Sequence, residues 1–224
     1  MCAAHAVDLE AFASYNGAMK APTGSSTASR GPGRPREFDL EQALDKAIGV
    51  FSESGYHATS LGKLTSAMEI AEGSLYKAFQ DKRGVFLAAF ERYQRLRGER
   101  LARKLASVKT GRDKIKAVLA AYAEDSAGKQ GRRGCLVVGS AVDLASTDPE
   151  MAERVRNQFA TLEQRLVELI EEGQGDGSVS ARVDAGTTGR LLLCMVQGMR
   201  VLGKTGRSGP EMMGVAERAL ALLD

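Results

Sequence analysis

Few residues of this sequence could do acid–base or metal chemistry. It has two histidines, His5 and His57, so a histidine-based triad has almost nothing to work with. The three cysteines, Cys2, Cys135 and Cys194, are odd in number and far apart, with no disulfide framework and no zinc-type spacing. "GQGDG" (173–177) looks like a phosphate loop, but no strand precedes it and no lysine ends it, so it reads as an inter-helix loop. An enzyme is not expected, nor a metal or other cofactor. Two features carry chemistry of other kinds. "GRRGC" (131–135) places Cys135 after two arginines and at a candidate helix start, and both lower a thiol's pKa; the alternative is a small buried hydrophobe. "RGPGRPREFDL" (30–40) packs three arginines, two prolines and two glycines ahead of a helix-like pattern, as a basic arm for a polyanion or a stiff lead-in.

Helices must position these groups. Apolar residues make up 43% of the chain, yet aromatics only 5% and tryptophan none, and the dominant residue types favour helix over strand. The fold class expected is all-α. A net charge of +3 is too mild to identify a nucleic-acid binder, so the local distribution of charge has to decide. No apolar run approaches the roughly 18 to 20 residues of a membrane span, and the N-terminus has no secretory pattern; a soluble cytoplasmic protein is expected.

Residues 1–36 read as a disordered extension. Asp39 can cap a helix with Leu40, Ala43, Leu44, Ala47, Ile48 and Phe51 on one face and Gly55 ending it. "TSLGKLTSAM" (59–68) offers Thr59 or Ser60 as cap, and "EGSLYKAF" (72–79) turns Leu75 and Phe79 inward. Asp81 then caps a long helix to about residue 108. Further helices are expected at 112–128, 136–146, about 150–172 behind Asp148 and Pro149, 185–203 and 210–223. "GRRGC" should break the chain, and "EEGQGDGSVS" should be a loop.

Two short helices joined by a turn of about three residues, inside a three-helix unit, form the layout of a helix-turn-helix. At Phe51, Gly55, Tyr56, "ATSL" (58–61), Gly73, Leu75, Tyr76, Phe79, Asp81 and Lys82 the sequence resembles the TetR/AcrR family of bacterial repressors. The match is dense over residues 37–83. Beyond it the likeness is mainly of helical layout, though "GCLVVGSAVDLA" and Asp148-Pro149-Glu150 are similar to a subset of the family. The resemblance implies a helix-turn-helix DNA-binding domain over 37–83 and a larger helical effector-binding and dimerisation domain over 84–224. It implies phosphate contacts from Thr59, Tyr76 and Lys82, a phosphate or base-edge contact from Lys77, and approach of Ser74 to bases. Ser60, Glu72 and Gly73 complete the DNA-facing set. The chain departs from the family at Glu69, where a turn glycine is common, at Ala71, where a capping hydroxyl is usual, and at Glu72, often lysine. Glu72 either complements the helix dipole or accepts from cytosine N4 in the major groove.

The resemblance further implies a homodimer on a palindromic operator, released by a small-molecule effector. Helices 150–172 and 185–203 are the candidate dimer surfaces; the second is apolar nearly all round, and Cys194 within it reads as buried and inert. Tyr122, Cys135, Phe159, Met195 and Met199 are candidate pocket residues. Few charges interrupt these faces, which points to an apolar or weakly polar effector. "GRPR" resembles an AT-hook core, so Arg34 and Arg36 are candidates to enter a minor groove. The rival readings are an architectural DNA binder without an effector, and a redox or electrophile sensor acting through Cys135.

Overall fold

The computed structural model describes residues 39–224, which place Arg34 and Arg36 outside the described residues. Helix α1 (Leu40–Ser54) starts where Asp39 Oδ1 accepts from the Glu41 and Gln42 amides at 3.0 and 3.2 Å. It ends at Gly55, whose N–H closes on the Phe51 carbonyl. Its inner stripe is Ala43, Leu44, Ala47, Val50 and Phe51. Leu40, expected on that stripe, lies at the solvent-facing first turn and is exposed. Helices α2 (Leu61–Met68) and α3 (Glu72–Phe79) follow, and then α4 (Lys82–Leu105), which Asp81 caps by accepting from Gly84 N at 2.7 Å. Leu64, Met68, Leu75, Phe86 and Phe90 bury themselves against α1, with Phe51 and Phe86 edge to face at 4.9 Å.

The second half runs α5 (Gly111–Asp125), α6 (Gly128–Arg133), α7 (Leu136–Asp143), α8 (Pro149–Asp176), α9 (Ala185–Gly203) and α10 (Gly209–Ala219), closing on one turn of 3-10 helix. All regular structure among the described residues is helical, as composition implies. Thr110, Asp148, Asp184 and Ser208 cap their helices through side-chain oxygens, and Ser208 with Glu211 completes a capping box.

Two apolar clusters result. One joins α1–α4 to Cys135, Leu136, Val137, Leu144, Met151 and Val155; the other gathers α5, α8, α9, α10 and the end of α4. Half-buried Phe159 packs against both. Apolar packing therefore runs without interruption from the three small helices into α7 and the start of α8.

Two segments differ from their sequence reading. "GRR" is the end of α6, and the break comes only at Gly134, at φ 94°. "GQGD" extends α8 by four residues, to Asp176, before Gly177 ends it. Glycine is a weak helix former, but here tertiary contacts decide. A Cβ on Gly111 would collide with the Gly173 backbone, so the two helices meet where neither carries a side chain. Asp176 fastens the junction, accepting from Gly111 N and Ser178 N at 2.8 Å each, which holds its carboxyl below the usual range.

Gly111→Ala should therefore force α5 away from α8 and destabilise the protein by about 1–3 kcal/mol, the usual cost of overpacking. Chemical denaturation of the two proteins measures it; equal midpoints would contradict the close approach.

Candidate nucleic-acid interface and the charged core behind it

Ser60 caps α2, its Oγ accepting from Lys63 N at 3.2 Å. The turn to α3 passes through Glu69 in the left-handed region (φ 58°, ψ 39°), a conformation that costs a side-chain-bearing residue about 1–2 kcal/mol. Lys46 Nζ holds its carboxylate at 2.7 Å. Ala71 then opens α3 without a side-chain cap, so the first amides of α3 are left to solvent or ligand. Leu75 is fully buried and anchors the helix, while Glu72, Gly73, Tyr76 and Lys77 are exposed and Ser74 half-buried. A short helix seated by one leucine thus presents most of its candidate DNA-facing residues outward.

Thr59 does not belong with them. It is 1% exposed, and its hydroxyl donates to the Gly55 carbonyl at 2.7 Å. The expected Thr59–phosphate contact is corrected accordingly: this hydroxyl ties the end of α1 to the start of α2. Lys82 is also partly committed. Its ammonium donates to the Tyr56 and Thr59 carbonyls at 3.1 Å each and lies 4.3 Å over the Tyr56 ring. Of its three donors, two fasten α4 to the head and one remains for a phosphate.

At its other end α4 enters a region rich in charge. Arg97 donates to Asp125 Oδ2 at 2.7 Å and Arg100 to Asp125 Oδ1 at 2.6 Å. The Arg97 guanidinium also lies against the Tyr93 and Tyr122 rings, at 5.5 and 4.9 Å. Arg200, from α9, is 1% exposed; its terminal nitrogens donate to the Asp125 and Gly134 carbonyls, and its Nε has no partner. Tyr93 Oη reaches Cys135 Sγ at 3.4 Å. Burial pushes the Cys135 thiol up, but Arg200 and Arg97 outweigh it and hold the thiol below its ordinary value. Burial raises the Tyr93 and Tyr122 hydroxyls.

Several expectations change here. The interior holds more charge than the sequence suggested, since Arg97, Asp125 and Arg200 meet within it. The arginines that act on Cys135 are these distant two rather than the adjacent Arg132 and Arg133. Cys194 is exposed rather than buried. Of the pocket candidates, Tyr122 and Cys135 share Arg97 as a neighbour, whereas Phe159, Met195 and Met199 pack against the apolar cluster of α8 and α9. Arg200 was the missed residue, and its signal was present: it falls four residues after Val196, on the inward stripe of an apolar helix. Among the described residues no group of three or more His, Cys, Asp or Glu is placed to hold a metal ion, and no helix is long and apolar enough to cross a membrane.

Comparison with known proteins places two family models on the chain: "Bacterial regulatory proteins, tetR family" on residues 43–89, and "Tetracyclin repressor-like, C-terminal domain" on residues 111–219. The HTH-type transcriptional repressor ComR of Escherichia coli is 29% identical over 191 residues, which cover 85% of this chain and 91% of that protein. The HTH-type transcriptional repressor BdcR of the same species is 30% identical over 63% of this chain and 71% of its own. Among solved structures, a cysteine mutant of the TetR family transcriptional regulator CifR, complexed with 26bp operator DNA, superposes with a TM-score of 0.75 at 29% identity, covering 84% of this chain and 98% of that one.

The geometry separates two kinds of head mutant. Lys77→Ala should weaken DNA binding and lower the slope of log affinity against log salt by about 1, as loss of a phosphate contact does. Thr59→Ala should lower the melting temperature and leave that slope unchanged. Binding titrations across a salt series distinguish them; a reduced slope in Thr59→Ala would place its hydroxyl on DNA after all.

Proposed function

Because the chain belongs to the TetR family and is a DNA-binding transcriptional regulator, we propose that it works as a homodimeric repressor that holds a palindromic operator and releases it when a small molecule enters the core of residues 84–224. In this reading residues 1–36 form an extension with a basic arm, 37–83 the DNA-reading head, and 84–224 the effector-binding and dimerisation domain. The observation that carries it is α4. Its first residue is hydrogen-bonded to head carbonyls, and about four and five turns later Arg97 and Arg100 are paired to Asp125 in the second half. A displacement of the Asp125 end would thereby reach the reading helix.

Dimerisation has its own support. Leu191, Val201 and Leu202 of α9 are 44–54% exposed, and a Cβ on Gly198 would meet nothing. An apolar, sterically open helix face of this kind suits the self-complementary surface of a two-fold dimer. Two heads related by such an axis add two half-site contacts on a palindrome. Dose-dependent release of operator by a small molecule separates this reading from a constitutive architectural binder. A member of a regulator family also leaves little for an enzymatic reading to explain.

Two results are expected. Val201→Glu with Leu202→Glu should shift the sedimenting species toward monomer and reduce operator affinity by about tenfold or more, since one half-site's contacts are lost; an intact dimer would move the interface elsewhere. Arg34→Ala with Arg36→Ala should weaken operator binding and flatten its salt dependence. Unchanged affinity and slope would make residues 30–40 a lead-in only.

A further inference from the structure

Positive charge collects at one corner of the second half of the chain, outside the reading helix. Lys129, Arg132 and Arg133 of α6, and Lys204 and Arg207 after α9, are all exposed. Backbone contacts bring the two segments together: Gly128 N donates to the Arg207 carbonyl at 3.0 Å, and a Cβ on Gly131 would meet the Gly203 carbonyl at 3.1 Å. A Cβ on Gly134 would collide with the Lys204 stem, and one on Gly206 would lie 3.6 Å from the Arg132 guanidinium. Two of these cations have carboxylate partners, Arg133 with Glu53 at 3.0 Å and Arg207 with Glu211 at 3.2 Å. Among the described residues Lys129, Arg132 and Lys204 have none. The net charge of the whole sequence is +3, so this one corner holds as much unpaired positive charge as the entire chain carries in excess.

The corner borders two functional surfaces. On one side Arg133 reaches Glu53 of α1, and the Ser52 carbonyl lies 3.0 Å from the Cβ position of Gly134, so α6 abuts the end of the first head helix. On the other side Lys204 directly follows the last turn of α9, where Val201 and Leu202 belong to the exposed apolar face. A two-fold axis through that face keeps both copies of the corner at one level along the axis, each beside its own head. Like charges gathered in this way repel until a polyanion neutralises them.

We propose that Lys129, Arg132 and Lys204 form a second DNA-contact surface, set against phosphates of the operator segment between the two half-sites. The inference rests on the reading of the chain as a homodimeric operator binder, and it adds the body of the molecule to the surface that touches DNA. A duplex held by both heads passes between them, and α1 of each head is packed against this corner. Ammonium and guanidinium groups on long side chains suit phosphate oxygens, and such contacts fix register and affinity without reading sequence. A helix of six residues and a loop offer no element shaped to enter a groove, so the backbone rather than the base edges is the target. The spacer between the half-sites then matters through its length, which places its phosphates, and its base sequence has little effect.

The test uses the full-length protein and a duplex selected from a random pool by the wild type, its half-sites located by footprinting. Binding is titrated across a salt series for the wild type and two triple variants. One removes the charges (Lys129→Gln, Arg132→Gln, Lys204→Gln) and the other keeps them (Lys129→Arg, Arg132→Lys, Lys204→Arg). The glutamine variant should bind about tenfold or more weakly, with the slope of log affinity against log salt reduced by about 2–5, since each lost phosphate contact removes about 0.9. The charge-keeping variant should match the wild type. A second duplex, with neutral methylphosphonates replacing the spacer phosphates alone, localises the contact: it should weaken the wild type and leave the glutamine variant's affinity unchanged. Equal loss by both proteins on that duplex would overturn the proposal. So would wild-type affinity and slope in the glutamine variant, which would leave the corner to an acidic protein partner. Sedimentation keeps the underlying reading separate: one protomer per duplex would remove the dimer on which the proposal stands, and failure to select any duplex would remove the operator.

Discussion

Helix α4 belongs to both apolar clusters of this molecule, and most of what the structure does follows from that. Near its start Val85, Phe86, Ala89 and Phe90 are buried with α1–α3, while at its end Leu105 lies in the cluster of α5, α8 and α9. Polar clamps hold each end. Lys82 grips two carbonyls that close the α1–α2 connection, and Arg97 with Arg100 grips one buried carboxylate. A helix fixed at two places about 22 Å apart moves as a rod, because bending it would break its own hydrogen bonds. The head and the second half cannot change independently while those clamps hold.

The connection has a second strut outside α4. Arg83 donates to Asp148 and Glu150 at 2.8–3.2 Å, and Arg154 bridges Glu91 to Glu150, so the first turn of α8 is tied to α4 along its length. Most of these groups are half-exposed, and such ion pairs contribute little stability one by one. Their effect is geometric: they select one relative placement of two helices whose apolar contact alone would permit several. The buried Arg97–Asp125 pair differs in kind, since loss of either partner strands a charge away from water. A nearby change in charge would therefore disturb this end of α4 more than it would the exposed pairs.

Much of the fold was legible from sequence because helix ends carry local chemistry. Asp39, Asp81 and Asp148 each cap where their position suggested, and Pro149 sits in a first turn. What stayed hidden depends on contacts distant in sequence. "GQGD" is helical because Gly173 meets Gly111 and Asp176 binds its amide. Thr59 turned inward because the Gly55 carbonyl needed a donor, which no pattern in residues 58–61 reveals. The reading helix was recognisable from Gly73, Leu75 and Tyr76, but the charged core was not: Arg97, Asp125 and Arg200 lie on three helices and meet only in the folded chain. Arg200 alone announced itself, as a cation on an inward stripe. Cys194 shows the opposite error, an apolar neighbourhood in sequence that becomes an exposed face.

The central claim is that α4 transmits between its two clamps. A double-mutant cycle on operator affinity, pairing Lys82→Met with Asp125→Asn, tests it most directly. Sites this far apart with no shared partner normally combine additively within about 0.3–0.5 kcal/mol. If α4 couples them, the double mutant should depart from additivity by about 1 kcal/mol or more. Additive losses would mean that the two ends of the helix act separately, contradicting this account.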